Sequence, residues 1–299
     1  MTALTAVLLS AWDIRLEIVL TLGLAAVLHI AGWRRLKTRT GGRFRAGWRP
    51  VAFLSGLAVL AIALMSPIDI LSGELFFMHM IQHLLIVAVA APLLWLADPF
   101  PFFMWGLPAG LRKEVGRLLS RDSAVRHALR IVTQPGLVCL AFVSVVLAWH
   151  DPQLYGAAQG NSIVHDLEHI SYFVVAMAYW WLVIGAAPHI RPRLSRGMRV
   201  GMLLVVVPAM ALLGIVIAMS TNPIYPYYED RPRLWGLSVM QDQMLSGIIM
   251  WIPGSMMYIL AALLLIWKML SREEQKKPLP AAAWAGDDAM LAPGIKPEK

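Results

Sequence analysis

Residues 76–85 read FFMHMIQHLL, and the chain stays apolar as far as residue 97. A helix over 75–97 extends roughly 35 Å at about 1.5 Å per residue. That crosses a hydrocarbon core of about 30 Å. Inside the run, His79 and His83 stand four apart, with Gln82 between them. Residues at i and i+4 share one helix face. A buried imidazole without a partner costs free energy. A lipid-buried helix with two histidines on one face therefore requires partners in the interior of a bundle.

The rest of the chain supplies that bundle. The 299 residues are 59% hydrophobic with mean hydropathy +0.64, and only 15% are charged. A soluble domain carries about a quarter charged residues. Seven apolar runs are long enough to span, at about 14–33, 51–66, 75–97, 133–149, 163–186, 198–219 and 243–268. Open sheets cannot cross lipid, so the expected fold is all-α, one polytopic seven-helix membrane domain over 1–270. Pro92, Pro208 and Pro253 fall inside three of the runs, where kinks are expected. The N-terminus lacks a basic start before its apolar part, so it reads as a retained helix and not a cleaved signal. The single Cys139 excludes an internal disulfide and a cysteine metal motif.

Charge alternates from one connection to the next. Residues 34–49 carry seven basic side chains and no acid. Arg112, Lys113, Arg117, Arg121, Arg126 and Arg130 follow the third run, and Arg191, Arg193, Arg196 and Arg199 the fifth. The other connections hold Asp69 and Glu74, then Asp151, then the mixed segment Glu229–Arg233. The positive-inside rule then puts the N-terminus outside and the C-terminus in the cytoplasm. The net charge of +8 reads as topology, and nucleic acid is not an expected partner. Residues 107–132 alternate apolar and basic positions, as expected of an amphipathic cytoplasmic helix on the bilayer surface. Residues 271–299 read as a flexible cytoplasmic tail.

In this topology five of the eight histidines fall near the extracytoplasmic face. They are His79 and His83, His150 in WHDPQLY (149–155), and His165 and His169 in HDLEH (165–169). Two i, i+4 pairs at one depth are the spacing by which imidazoles converge on an ion. Glu168 shares a face with the second pair, and Asp242 can join from the seventh run; both are candidate ligands. Gln82, Asp166 and Gln243 are candidates to orient them. Met240 and Met244 are possible soft ligands near the same face, as thioether suits Cu(I). Most of the 17 methionines read as packing. His29 and His189 fall near the inner face, and His127 lies in a cytoplasmic connection. Residues 221–241 are long for a helix connection and suit a docking surface or lid.

HMIQHLL (79–85), APLLWLADP (91–99), WHDPQLY, HDLEH, YWW (179–181), NPIYPYY (222–228) and LWGLSVMQDQMLSGIIMWIPG (234–254) occur in this order. With them the chain resembles the CtaG family of seven-helix cytochrome c oxidase assembly proteins over about residues 15–270. It departs at Met244, where a glutamine is expected. The resemblance implies maturation of a haem–copper oxidase in the bacterial plasma (inner) membrane. The matching polar positions are His79, Gln82, His83, His150, His165, Glu168, His169, Asp242 and Gln243. The implied partners are oxidase subunits, a periplasmic copper chaperone and the bilayer.

The expected function is a non-enzymatic assembly factor that holds copper and hands it on. A membrane metalloenzyme with zinc or di-iron and Glu168 as general base is the alternative. A haem b protein, with one histidine from each of the third and fifth runs, also stays open. The lack of acid or base at mid-membrane speaks against transport.

Overall fold

A computed structural model describes residues 10–41 and 47–274, with side chains as far as Ser271. The expected tail at 271–299 lies almost wholly outside the described residues. Those residues form helices and no strand. In chain order the helices are α1 (Leu16–Arg39), α2 (Trp48–Met65), α3 (Pro67–Ser72) and α4 (Phe76–Leu96). Then come α5 (Pro99–Gly106), α6 (Ala109–Leu118), α7 (Ala124–Val132), α8 (Pro135–Trp149) and α9 (Pro152–Gly160). Last are α10 (Ser162–Ile184), α11 (Arg196–Met219) and α12 (Val239–Glu274).

Six of these, α1, α2, α4, α10, α11 and α12, are long and apolar enough to cross a membrane. The fourth expected span is shorter. With 15 residues, α8 rises only about 22 Å. It completes a span only together with α7, from which it is bent by 62°. The described residues thus hold six such helices, or seven if the bent pair is one span. The connection 107–132 also differs from the single helix expected. It breaks at residues 119–123, where Ser123 turns its Oγ to the Val125 N–H (3.2 Å) and caps α7. Short hydroxyl side chains compete with the helix in this way.

Helix α4 passes Pro92 without a break. A π-helical segment, Leu85–Ala90, lies just ahead of it, and the Ala91 N–H donates to the Ile86 carbonyl. In that register the next donor would serve Val87, but Pro92 has none. The Trp180 indole from α10 donates to the Val87 carbonyl instead, at 2.8 Å. Elsewhere close packing depends on glycine. A Cβ at Gly32 of α1 would fall on the Phe102 carbonyl of α5. One at Gly247 of α12 would collide with the backbone of Gly214 and Ala218 in α11. Small residues let helices in lipid approach to backbone contact.

Residues 220–238 pack into the bundle. Tyr225, Tyr228 and Leu234 are buried. The Tyr228 hydroxyl donates to the Ser72 carbonyl (2.8 Å) and the Tyr225 hydroxyl to the His150 carbonyl (3.0 Å). Gln243 accepts the Ile224 N–H at 2.7 Å. Burial pushes the Tyr228 phenol well above its ordinary range, so it stays neutral and hydrogen-bonded.

Candidate metal centre

Helices α4 and α10 bring the two histidine pairs face to face. Within α4 the rings of His79 and His83 lie 4.2 Å apart, and within α10 those of His165 and His169 lie 4.3 Å apart. Across the interface His79 is 5.7 Å from His165, and His83 is 5.4 Å from His169, centroid to centroid. Glu168 points between them. Its Oε1 is 3.3 Å from His79 Nε2 and 3.5 Å from His83 Nε2. One ligand atom each from His79, His83 and Glu168 falls within 4.8 Å of the others, and all three residues are buried.

The donor set fits a metal ion because its lone pairs have little else to do. Both ring nitrogens of His83, Nε2 of His165 and His169, and Oε2 of Glu168 are buried without a hydrogen-bond partner. Each such atom costs about 1–3 kcal/mol if it stays unsatisfied. Four imidazoles with one carboxylate suit copper, zinc or iron chemically.

The other candidates are placed differently. His150 does not stack on the four; it opens on a cavity that it shares with His83. Asp242, read as a ligand, is occupied as a helix cap. Its Oδ2 accepts the Phe76 N–H (3.0 Å) and its Oδ1 the Phe77 N–H (2.9 Å). The first turn of any helix leaves N–H groups unpaired, and Leu75 before α4 offers no side-chain acceptor. Asp242 thus fixes the start of the helix that carries His79.

Among the expected orienting groups, Gln82 donates to the Ala63 carbonyl (2.9 Å) and to Asp69 Oδ1 (2.6 Å), tying α4 to α2 and α3. The Asp166 carboxylate takes both Nη atoms of Arg15 at 2.7 and 2.8 Å, locking the start of α1 to α10. Gln243 holds residues 222 and 224. Met244 is 43% exposed on the bundle surface, which removes it as an inward-facing soft ligand. Met240 is half-buried.

Sequence reasoning missed Gln159 and two tyrosines. Gln159 Nε2 lies 3.2 Å from His79 Nδ1. Tyr155 sits 5.2 Å from the His79 ring and Tyr172 4.4 Å from the His83 ring. Nothing in the spacing marked Gln159. Tyr172 lies one turn beyond Glu168, a position from which it faces the same side of α10. Beside the cluster a cleft of about 440 Å³ reaches His169 past Arg15, Asp166 and the apolar Ile18, Leu60 and Phe173.

A family model described as cytochrome c oxidase caa3 assembly factor (Caa3_CtaG) matches residues 27–272. Uncharacterized proteins of Mycobacterium bovis and Mycobacterium tuberculosis are each 27% identical over 234 residues. One of Mycobacterium leprae is 26% identical over 231. These matches cover 75–76% of this chain and 34% of each relative, so the chain spans about a third of the length of the curated relatives it matches. No solved structure matches the chain. The family match takes in the whole cluster from His79 to His169, and the chain belongs to the cytochrome c oxidase caa3 assembly factor family.

Proposed function

We propose that this protein binds copper at the His79–His83–His165–His169–Glu168 cluster and passes it to a haem–copper oxidase during assembly. The observation that carries the reading is the convergence of His79, His83 and Glu168, with neighbouring imidazole nitrogens left without partners. Family membership supplies the pathway. In this reading the N-terminus is outside and the cluster lies near the extracytoplasmic face of a bacterial plasma membrane, an orientation supported by the alternation of basic and acidic connections. There, oxidase subunits or a periplasmic chaperone can reach it.

The chain's own groups account for capture and release. Glu168 adds one negative charge to a set of neutral imidazoles and so favours a cation. The Gln159 amide donates to His79 Nδ1, which leaves the His79 proton on Nε2, directed at Glu168. An ion entering between His79 and Glu168 displaces that proton. Return of the proton assists release. The cleft beside Arg15 and Asp166 offers an approach to His169.

The test is the copper content of the oxidase in cells that carry His83→Ala or Glu168→Gln. The expected result is normal membrane levels of this protein with copper-depleted oxidase. Fully metallated oxidase in both strains would overturn the reading.

A further inference from the structure

Adjoining the cluster is a cavity of about 70 Å³, walled by α4, α8, α10, α11 and α12. Most of its wall is apolar. Two imidazoles reach it, His83 and His150, and so do three methionines, Met80, Met210 and Met250. His83, His150, Met80 and Met210 are buried, and Met250 is half-buried. The space exceeds the roughly 10–15 Å³ that one water needs, so a single ion fits in it.

The state of His150 follows from its neighbours. Its Nδ1 lies 2.7 Å from the Val146 carbonyl. A carbonyl can only accept, so Nδ1 carries the proton and Nε2 keeps its lone pair. That Nε2 is buried and has no hydrogen-bond partner. His83 stands at the border of the two sites. One face meets Glu168 (3.5 Å from Nε2) and the ring also lines the cavity, while neither nitrogen makes a hydrogen bond.

We propose that this cavity is a Cu(I) site, formed by His150 Nε2, one nitrogen of His83 and the thioethers of Met80, Met210 and Met250. Thioethers are soft donors and select Cu(I), whereas the imidazole–carboxylate side of His83 suits a divalent ion. All the cavity donors are neutral, and the apolar wall disfavours charge, so a monovalent ion is held at lower cost than a divalent one. Methionine often only fills gaps in a core. These three differ because two imidazoles with unpaired nitrogens open on the same space. The cavity's place as a second station for copper rests on the proposed function; the site itself rests on its own residues. The cavity takes up copper directly as Cu(I) and not from a divalent ion in the His/Glu cluster, so no change of oxidation state is involved.

The experiment uses detergent-purified full-length protein, loaded separately with Cu(I) held under reductant, with Ag(I) as a redox-inert soft probe, and with Zn(II). X-ray absorption reads the donor atoms. The expected result is sulfur in the first shell of Cu(I) and Ag(I). Met80→Leu/Met210→Leu/Met250→Leu, which nearly conserves volume, then loses the sulfur and binds Cu(I) about ten-fold or more weaker, with Zn(II) binding unchanged. A nitrogen- and oxygen-only shell in the wild type overturns the proposal without reference to any variant. So does a triple variant that binds Cu(I) like the wild type. Wild type that takes Cu(I) on sulfur but no divalent ion keeps this site and sinks the His/Glu cluster as a divalent site.

Discussion

His79 Nε2 lies 3.3 Å from Glu168 Oε1, in a buried contact between two helices 89 residues apart in sequence. Both residues are 0% exposed. A carboxylate at that depth needs a cation or a proton donor; His79 serves Oε1, and Oε2 is left without a hydrogen-bond partner. The first prediction follows. Glu168→Gln keeps the shape and removes the charge. It is expected to weaken binding of Cu(II) or Zn(II) by about 10–100-fold, the range seen when a metal site loses such a partner. Competition with a chromophoric chelator measures this; an unchanged affinity would detach Glu168 from the site.

Metal loading should stabilise the bundle. An ion that binds only the folded form adds about 2.7 kcal/mol when free metal is 100-fold above Kd. The apparent Tm in detergent is expected to rise by several degrees on loading and return on chelation. His83→Ala/His169→Ala should show no rise. An equal rise in the double variant would mean that the stabilising ion binds elsewhere.

The two histidine pairs were legible because i, i+4 spacing survives any arrangement of helices. Their meeting was not, since the order of helices around the bundle is not written in periodicity. Asp242 illustrates the limit. As an acid near the outer end of a span it reads as a ligand, yet the bare N-terminus of α4 claims both of its oxygens. Asp166 is likewise claimed by Arg15, from a helix 151 residues away in the chain. Met210 and Met250 lie in uniformly apolar runs, where nothing distinguishes a cavity-lining thioether from one that packs. The bend between α7 and α8 was hidden because an amphipathic turn and an apolar helix join there at Pro135.

Glycine packing gives a prediction independent of metal. Gly247→Ala places a methyl against backbone atoms of α11, which cannot rotate away. Overpacking of this kind costs about 1–3 kcal/mol or more. Gly23→Ala in α1 meets nothing within 4 Å. It should be neutral or stabilising by about 0.5–1 kcal/mol. Thermal unfolding of the two variants side by side checks the α11–α12 contact; equal behaviour would contradict it.

Asp69 supplies a pH dependence. Burial pushes its carboxyl up from the ordinary 3.8 to about 6, and the hydrogen bond from Gln82 opposes this. A carboxyl raised in the folded state contributes stability that is full below 3.8 and lost as pH rises through about 6. Asp69→Asn keeps an acceptor for Gln82 and cannot ionise. Its apparent Tm should therefore gain on the wild type as pH rises across that window, with a constant gap above it. Parallel Tm profiles for the two proteins would show that Asp69 is not raised.

The central claim is that the α4–α10 cluster holds copper. Metal content by mass spectrometry tests it most directly, on detergent-purified wild type beside His83→Ala/His169→Ala after loading with Cu(II) and desalting. The account predicts near-stoichiometric copper in the wild type and its loss in the double variant. Copper retained equally by both, or by neither, would contradict it.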